Sequence, residues 1–169
     1  SFKKINDKKI WRIPVMEGEF VIEDKTSIAN GIGGGNILII GDSNQEVLKS
    51  SEAAVKEMRK VNNIILPFPG GIVRSGSKVG SKYKSLIAST NDAYCPTLKG
   101  ITKTKLSKSN ESVLEIVIDG TNEKDISLAM KKGINIICKK FNKGIRSISA
   151  GNYGGKLGPY HFHLRDIMK

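Results

Sequence analysis

One glutamate, Glu115, stands in a setting that suggests acid–base chemistry. It interrupts the apolar run 113–118, which has the composition of a β-strand. In a strand it shares one face with Val113 and Val117. In a partly apolar cleft, a carboxyl group has a raised pKa and can exchange protons near neutral pH. On an exposed sheet face the same carboxylate would be solvated and inert, and the strand pattern alone favours that second interpretation.

Three glycine-rich stretches are candidates for ligand contact: residues 31–35, 70–80 and 151–158. Glycine lets backbone N–H groups turn toward an anion or approach a ligand closely. The middle stretch, GGIVRSGSKVG, and the residues after it add hydroxyl donors and positive charge through Ser75, Ser77, Lys78 and Lys82. It is not a phosphate-binding P-loop, because Ser77 follows Gly76 where that motif has lysine. Taken singly, each stretch is more often a plain turn.

A cysteine and a pair of histidines are weaker candidates. Cys95 precedes Pro96 and has no His neighbour in sequence, which disfavours a catalytic thiol. His161 and His163 alternate in a strand-like segment, so both project to one face, where they could bind a metal. No third ligand is evident, and a structural role is favoured for both histidines.

The composition fits one basic domain. The 169 residues are 38% hydrophobic, which is enough for a core at this length. The net charge of +12 attracts anions such as nucleic acid, an acidic membrane or multiply charged small substrates. Two cysteines without a CxxC motif indicate a reducing cytoplasm, and no apolar run is long enough to span a membrane. The chain begins at Ser1 rather than Met, as expected of a fragment.

The elements that must position these residues are two β-α-β patterns. In the first, residues 36–69, an apolar strand at 36–40 precedes a capping box of Ser43 and Glu46, and a strand returns at 64–66. The spacing predicts a buried helix stripe of Val47, Ser51, Ala54, Val55, Met58 and Val61.

The second pattern lies in residues 112–169, which we also expect to contain a C-terminal strand. Strand 113–118 precedes a helix that starts at Asn122 with Asp125, and a strand closes the unit at 145–149. The predicted stripe of this helix is Ile126, Ala129, Met130, Gly133, Ile137 and Phe141. Two such units predict an α+β fold, a ferredoxin-like split β-α-β sandwich.

Two segments lie outside these units. Residues 1–35 are an extended entry segment with strands at 8–16 and 20–23, where Pro14 suggests an edge strand. A glycine-rich turn at 31–35 ends it. Residues 70–111 are a long Gly/Lys-rich insertion, and its lysine-rich part, 99–109, has the composition of a mobile flap.

Three long segments resemble the formylmethanofuran:tetrahydromethanopterin formyltransferase family. They are IWRIPVMEGEFVIE (10–23), PFPGGIVRSGSKVGSKYKSLIASTNDAYCPTL (67–98) and ISAGNYGGKLG (148–158). They match its C-terminal half in the same order, from about Trp11 onward. The resemblance implies that residues 1–169 are the C-terminal lobe of a longer, archaeal-type enzyme whose two lobes each have a ferredoxin-like core.

The resemblance also implies an activity, which is reversible formyl transfer between methanofuran and tetrahydromethanopterin in methanogenesis and one-carbon metabolism. It implies a cytoplasmic homo-oligomer that uses no prosthetic group and acts through a ternary complex. The family's acid/base glutamate falls at Glu115, in the segment VLEIVIDG. Such a carboxyl group can pass a proton from the attacking amine to the departing one.

Loop chemistry, rather than the resemblance, suggests the residues that contact substrate. Ser75, Ser77, Lys78 and Lys82 are candidate donors, and Asn152 and Tyr153 are candidate wall residues. Both carriers in this family are polyanionic, so Lys84 and the lysines of 99–108 are further candidates for holding them. For any individual lysine, a solvating surface role is favoured.

Two alternatives remain open. A basic ferredoxin-like domain is also typical of RNA-binding modules, but those stack bases on aromatic residues of their central strands. Strands 36–40 and 113–118 contain no aromatic residue, which argues against nucleic acid as a partner. The second alternative is a non-catalytic, formyltransferase-like subunit of a larger complex. Without the N-terminal lobe, this fragment could be inactive alone.

Overall fold

The computed structural model describes residues 2–74, 79, 81, 83–85, 90–151 and 158–169. It has two compact units, Ser1–Asn30 and Gly31–Lys169. Helices and antiparallel sheets make the chain α+β, as predicted. No helix in the described ranges is long and apolar enough to cross a membrane.

The first unit is an antiparallel sheet of three strands in the order β1-β2-β3. They are β1 (Phe2–Ile5), β2 (Lys8–Val15) and β3 (Gly18–Glu23). The sequence predicted β2 and β3 but missed β1, in which two lysines separate the apolar residues. β2 is therefore the central strand rather than an edge. The pairing of β2 with β1 ends at Phe2 and Trp11, so Pro14 is paired only with β3. A proline is tolerated there, because that stretch of β2 has no neighbour on the β1 side among the described residues.

One face of this small sheet is apolar and exposed. The strand register places six large apolar side chains on it: Phe2, Trp11, Ile13, Val15, Phe20 and Ile22. Lys9 lies on the same face, with its Nζ 4.5 Å from the centre of the Phe2 ring and 4.3 Å from that of Trp11. Phe20 is 53% exposed and Ile13 is 47% exposed. The opposite face carries the ion pairs Lys8–Glu23 and Arg12–Glu19. An apolar face of this kind is typical of an interaction surface.

The described residues of the second unit form a four-stranded antiparallel sheet in the order β5-β6-β4-β7. The strands are β4 (Ile32–Gly41), β5 (Ile64–Ile65), β6 (Ser112–Gly120) and β7 (Ile145–Ser149). Helix α1 (Asn44–Met58) connects β4 to β5, and helix α2 (Glu123–Lys140) connects β6 to β7. A short helix α3 (Leu164–Ile167) follows, and 3-10 turns occupy Pro69–Gly71, Asp92–Tyr94 and Pro96–Leu98.

Both long helices begin at the predicted caps. Ser43 Oγ accepts a hydrogen bond from Glu46 N at 3.3 Å, and Asn122 Oδ1 accepts one from Asp125 N at 2.9 Å. The predicted stripes are buried apart from Phe141, which is half-buried at the end of α2. These stripes face the sheet and form the main core with side chains such as Ile37, Ile39, Ile116 and Ile118. Residues of β4 and β6 that alternate with these, Leu38 and Glu115 among them, point to the other face.

The predicted glycine turn at 31–35 is wrong. β4 starts at Ile32, and its register with β6 shifts between Ile32 and Gly35, which marks a bulge. Gly35 is constrained by packing, since an added Cβ would lie 2.4 Å from Ile126 Cγ2. The glycines therefore allow a strand to pass close to α2.

The predicted C-terminal strand is also absent: residues 160–163 have no strand pairing, and α3 begins directly after His163. The alternation arises because Phe162 is buried in the core between two exposed histidines. The rings of His161 and His163 are 6.3 Å apart. Within the described ranges, no group of three or more His, Cys, Asp or Glu side chains could hold a metal.

The second half of the insertion has hydrogen bonds of its own and one to β4, in which Glu111 N donates to Gly41 O at 3.1 Å. Lys99 Nζ donates to the carbonyl oxygens of Lys108, at 3.0 Å, and Asn110. Leu106 is 8% exposed, and Lys105 N donates to Ala93 O at 2.8 Å. The mobility of this segment stays a prediction.

We expect Gly41→Ala to destabilise the fold. A Cβ at this position would lie 2.5 Å from the carbonyl oxygen of Gly144, which accepts a hydrogen bond from Asp42 N at 2.9 Å. Overpacking of this kind costs about 1–3 kcal/mol, measurable as a lower urea midpoint. Gly100→Ala is the control, because nothing lies within 4 Å of its added Cβ. Equal midpoints for the two variants would contradict the expected clash.

Candidate active site

The backbone of Glu115 is held on both sides. It lies in the middle of β6, opposite Leu38 of β4. On its other side, Glu115 and Val73 exchange two backbone hydrogen bonds of 2.8 Å. The residue is 7% exposed. The structure therefore places this carboxyl group in a cleft rather than on an open sheet face.

Two asparagines bind the Glu115 side chain. Asn36 Nδ2, from β4, donates to Oε1 at 2.8 Å, and Asn91 Nδ2, from the insertion, donates to the same oxygen at 3.0 Å. Both asparagines are buried. Gly151 N donates in turn to Asn36 Oδ1 at 2.8 Å. Three segments far apart in sequence thus meet at one carboxyl group, and a fourth, at Gly151, binds Asn36.

Burial raises the pKa of Glu115 above the usual value for glutamate. The hydrogen bonds from Asn36 and Asn91 act in the opposite direction, because they favour the ionised form, but desolvation is the larger effect. The environment therefore favours a neutral carboxyl group at a higher pH than in an exposed glutamate. A shift in this direction is the one that a glutamate needs for general acid–base catalysis near neutral pH.

Glu115 lines a cavity of about 500 Å³. Leu38 and Val113 contribute to the same cavity from the sheet, and a loop of the insertion contributes its Tyr94 and Cys95. Tyr94 is fixed by a hydrogen bond of 2.9 Å between its hydroxyl and Ser149 Oγ of β7. A cavity of this size accommodates a small ligand or part of a larger one.

Arg74 brings a positive charge to this cavity. Its Nη2 donates to Asn44 Oδ1 at 2.9 Å, which connects it to the first residue of α1. Both residues line the cavity that contains Glu115. A guanidinium at the wall of a cavity can bind a carboxylate or phosphate group of a ligand.

Of the predicted catalytic residue and the six predicted loop contacts, only Glu115 lies within the described residues. The others lie outside the described residues: Ser75, Ser77, Lys78, Lys82, Asn152 and Tyr153. The described residues next to two of these positions do lie at the Glu115 site. Arg74 lines the cavity and directly precedes Ser75, while Gly151 binds Asn36 and directly precedes Asn152. The described residues directly before Ser75 and Asn152 therefore both lie at the Glu115 site.

Sequence reasoning missed Asn36, Asn91, Tyr94 and Arg74. Asn36 opens an apolar strand, which was a detectable signal, but its proximity to Glu115 depends on the β4–β6 register. Asn91 and Tyr94 come from the insertion, whose path the sequence did not predict. Cys95 also lines the cavity, where its Sγ lies 3.3 Å from Thr97 Oγ1.

The chain is similar to known formyltransferases. Residues 18–167 match the family described as FTR, proximal lobe. The chain is 62% identical to the formylmethanofuran–tetrahydromethanopterin formyltransferase of Methylobacillus flagellatus, covering 98% of this chain and 55% of that protein. It is 46% identical to the enzyme of the same name from Methanocaldococcus jannaschii, over 96% of this chain and 54% of that protein. The relatives include bacteria, so the archaeal origin expected from the resemblance was too narrow.

The chain is also similar in structure to solved formyltransferases. The formyltransferase of Methanosarcina barkeri has a TM-score of 0.75 at 44% identity, covering 99% of this chain and 56% of that one. The formyltransferase/hydrolase complex of Methylorubrum extorquens, solved with methylofuran, contains a chain with a TM-score of 0.74 at 43% identity, covering 100% of this chain and 56% of that one. The chain spans about half the length of the curated relatives it matches.

The raised pKa of Glu115 predicts how Glu115→Gln changes stability with pH. A group whose folded-state pKa is raised contributes stability below its unfolded-state pKa and loses it as the pH rises through the folded-state value. Wild type and Glu115→Gln should therefore be similar at low pH, and the variant should become the more stable protein as the pH rises. Urea unfolding at several pH values measures the difference.

Glu57→Gln is the matched control. The hydrogen bond from Lys60 lowers the pKa of the Glu57 carboxyl, so its replacement should not give a gain in stability with rising pH. If the Glu115→Gln and wild-type curves stayed parallel, Glu115 would have an ordinary pKa.

Proposed function

Because the chain belongs to the formylmethanofuran–tetrahydromethanopterin formyltransferase family, we propose that it is the C-terminal lobe of an enzyme that transfers a formyl group reversibly between methanofuran and tetrahydromethanopterin. The observation that carries this proposal is the buried Glu115 carboxyl group at a cavity of about 500 Å³. The names of the relatives give methanofuran as the formyl carrier, whereas the Methylorubrum complex was solved with methylofuran.

Glu115 serves as the general acid and base. A pterin nitrogen attacks the formyl carbon, and a tetrahedral intermediate with negative charge on oxygen forms. Its collapse breaks the bond between that carbon and the methanofuran nitrogen. Glu115 accepts the proton that the attacking nitrogen loses and returns a proton to the departing nitrogen, so it ends in its starting state. Its raised pKa supports both steps.

The two glycine-rich loops hold the substrates. Ser75, Ser77, Lys78 and Lys82 donate to substrate oxygens, and Asn152 and Tyr153 form part of the cleft wall. The positions of Arg74 and Gly151 support this, since they directly precede Ser75 and Asn152, and Arg74 lines the Glu115 cavity while Gly151 binds Asn36. The net charge of +12 suits anionic carriers. Lys99 is not available for this role, because it binds carbonyl oxygens of its own segment.

The core of the second unit is ferredoxin-like. The strand order β5-β6-β4-β7, with α1 and α2 between strands, supports this assignment. The enzyme needs no cofactor, since the transferred group arrives on one substrate and leaves on the other. A cytoplasmic location fits two free cysteines, Cys95 and Cys138.

The enzyme includes an N-terminal lobe and assembles as a homo-oligomer, with neither nucleic acid nor membrane as a partner. The exposed apolar face of the β1-β2-β3 sheet supports assembly, because burying it in a subunit interface would remove this apolar surface from water. A place in a larger complex is the alternative. It is favoured by the Methylorubrum neighbour, which is a subunit of a formyltransferase/hydrolase complex.

Formyl transfer should fall about a hundredfold or more in Glu115→Gln, because the amide cannot exchange the proton. The assay uses the protein expressed from its complete gene, with both carriers, in either direction. Glu57→Gln, which removes a half-buried carboxylate of α1 that is paired with Lys60, should stay within a few-fold of wild type. Activity of Glu115→Gln near the wild-type level would remove Glu115 from the mechanism.

Assembly through the apolar sheet face predicts that Phe20→Lys lowers the molar mass in solution. Light scattering after size-exclusion chromatography measures this on the protein from the complete gene. Val21→Lys is the control, because Val21 is 56% exposed on the opposite face of the same strand. An unchanged mass for Phe20→Lys would exclude this face as the interface.

A further inference from the structure

We propose that Asn36, oriented by the backbone N–H of Gly151, is a positioning residue that confines the exchangeable proton of Glu115 to its Oε2 oxygen. Its catalytic consequence rests on the proposed function, in which Glu115 is the acid and base. The placement of the proton rests on hydrogen-bond geometry alone, so the two can be tested separately.

The first observation is that both amides bind the same oxygen. Asn36 Nδ2 lies 2.8 Å from Oε1 and Asn91 Nδ2 lies 3.0 Å from it. A carboxyl oxygen has two lone-pair sites, and two N–H donors occupy both. In the neutral acid, Oε1 is therefore the carbonyl oxygen and Oε2 carries the hydrogen. Since Glu115 lines the cavity, Oε2 is the oxygen left to exchange a proton with a bound substrate.

The second observation is that the Asn36 amide has one permitted orientation. Gly151 N donates to Asn36 Oδ1 at 2.8 Å, so the NH₂ group must lie on the Glu115 side. If the Asn36 amide were flipped, its NH₂ group would face the N–H of Gly151, and its oxygen would face Oε1 of Glu115. Both hydrogen bonds would then be lost. The backbone N–H at Gly151 thereby determines which group Asn36 presents to the carboxyl oxygen.

The third observation is that a side chain at position 151 would displace both asparagine amides. An added Cβ would lie 2.7 Å from Asn91 Oδ1 and 2.8 Å from Asn36 Nδ2. The backbone thus approaches both amides at the start of the segment GNYGGKLG. This close approach couples the position of residue 151 to the hydrogen bonds of Glu115.

The test is to remove one donor and observe the carboxyl group directly. In Asn36→Ala, loss of the Nδ2 hydrogen bond should raise the pKa of Glu115, because that bond favours the ionised form. It should also move the carbonyl stretch of the neutral acid to higher frequency, since Oε1 then accepts one hydrogen bond instead of two. Carbon-13 NMR titration and infrared spectra of ¹³C-glutamate-labelled protein give both readouts, and Glu115→Gln assigns the signals.

Steady-state kinetics of Asn36→Ala measures the effect of this residue on catalysis. Asn36→Ala should lower kcat roughly tenfold to a hundredfold, as expected for a misplaced reacting group, with KM nearly unchanged. The midpoint of its pH–rate profile should rise together with the NMR midpoint. A merely structural asparagine would not move either midpoint.

Two further variants keep the test decisive. Asn110→Ala is the control, because Asn110 is also buried but binds Ser107 rather than Glu115, so the Glu115 signals should not change. Gly151→Ala keeps both asparagines, but its added Cβ should displace both amides. It should therefore shift the Glu115 signals in the same way as Asn36→Ala. This variant provides the test if Asn36→Ala does not fold.

The outcomes separate the two proposals. Unchanged Glu115 signals in folded Asn36→Ala or Gly151→Ala would overturn the placement of the proton. Shifted signals in a protein whose Glu115→Gln variant keeps full formyl transfer would leave that placement standing and remove the proposed function.

Discussion

Burial of one carboxyl group inside a sheet is the constraint on which the site depends. Desolvation penalises the charge of Glu115, and its buried Oε1 oxygen must still be hydrogen-bonded. The neighbouring backbone does not provide these bonds, because the N–H and C=O groups of Glu115 and Val73 are already paired with each other. Side chains from Asn36 and Asn91 provide them instead. The insertion is therefore part of the site, since it brings Asn91 to β6.

The two faces of the sheet have different roles, since one packs against the helices and the other lines the cavity. One face packs its isoleucines against α1 and α2, and the capped helices and the close passage of β4 at Gly35 belong to that core. The other face presents Glu115 to the cavity, with Tyr94 fixed to Ser149 beside it. Because alternate residues of β6 serve the two faces, a register shift of one residue would move Glu115 into the apolar core.

The sequence predicted what depends on local spacing. Capping by Ser43 and Asn122, the helix stripes and an acidic residue in an apolar strand are all readable within one element. The resemblance correctly named the family. What failed depends on contacts between distant elements. Gly35 looked like a turn because its close neighbour, Ile126, lies in another element, and the alternation around Phe162 imitated a strand because one residue alone enters the core.

The described members of the Glu115 cluster lie within the second unit. Asn36, Asn91, Glu115 and Gly151 all belong to Gly31–Lys169, and every hydrogen bond described among them forms inside that unit. The raised pKa therefore has causes that lie in this unit, although the chain spans only about half the length of its relatives. In the proposed function, acid–base capacity would therefore come from this unit. Holding two large carriers is a different requirement, because binding area grows with the surface available, and the rest of the proposed enzyme would add that surface.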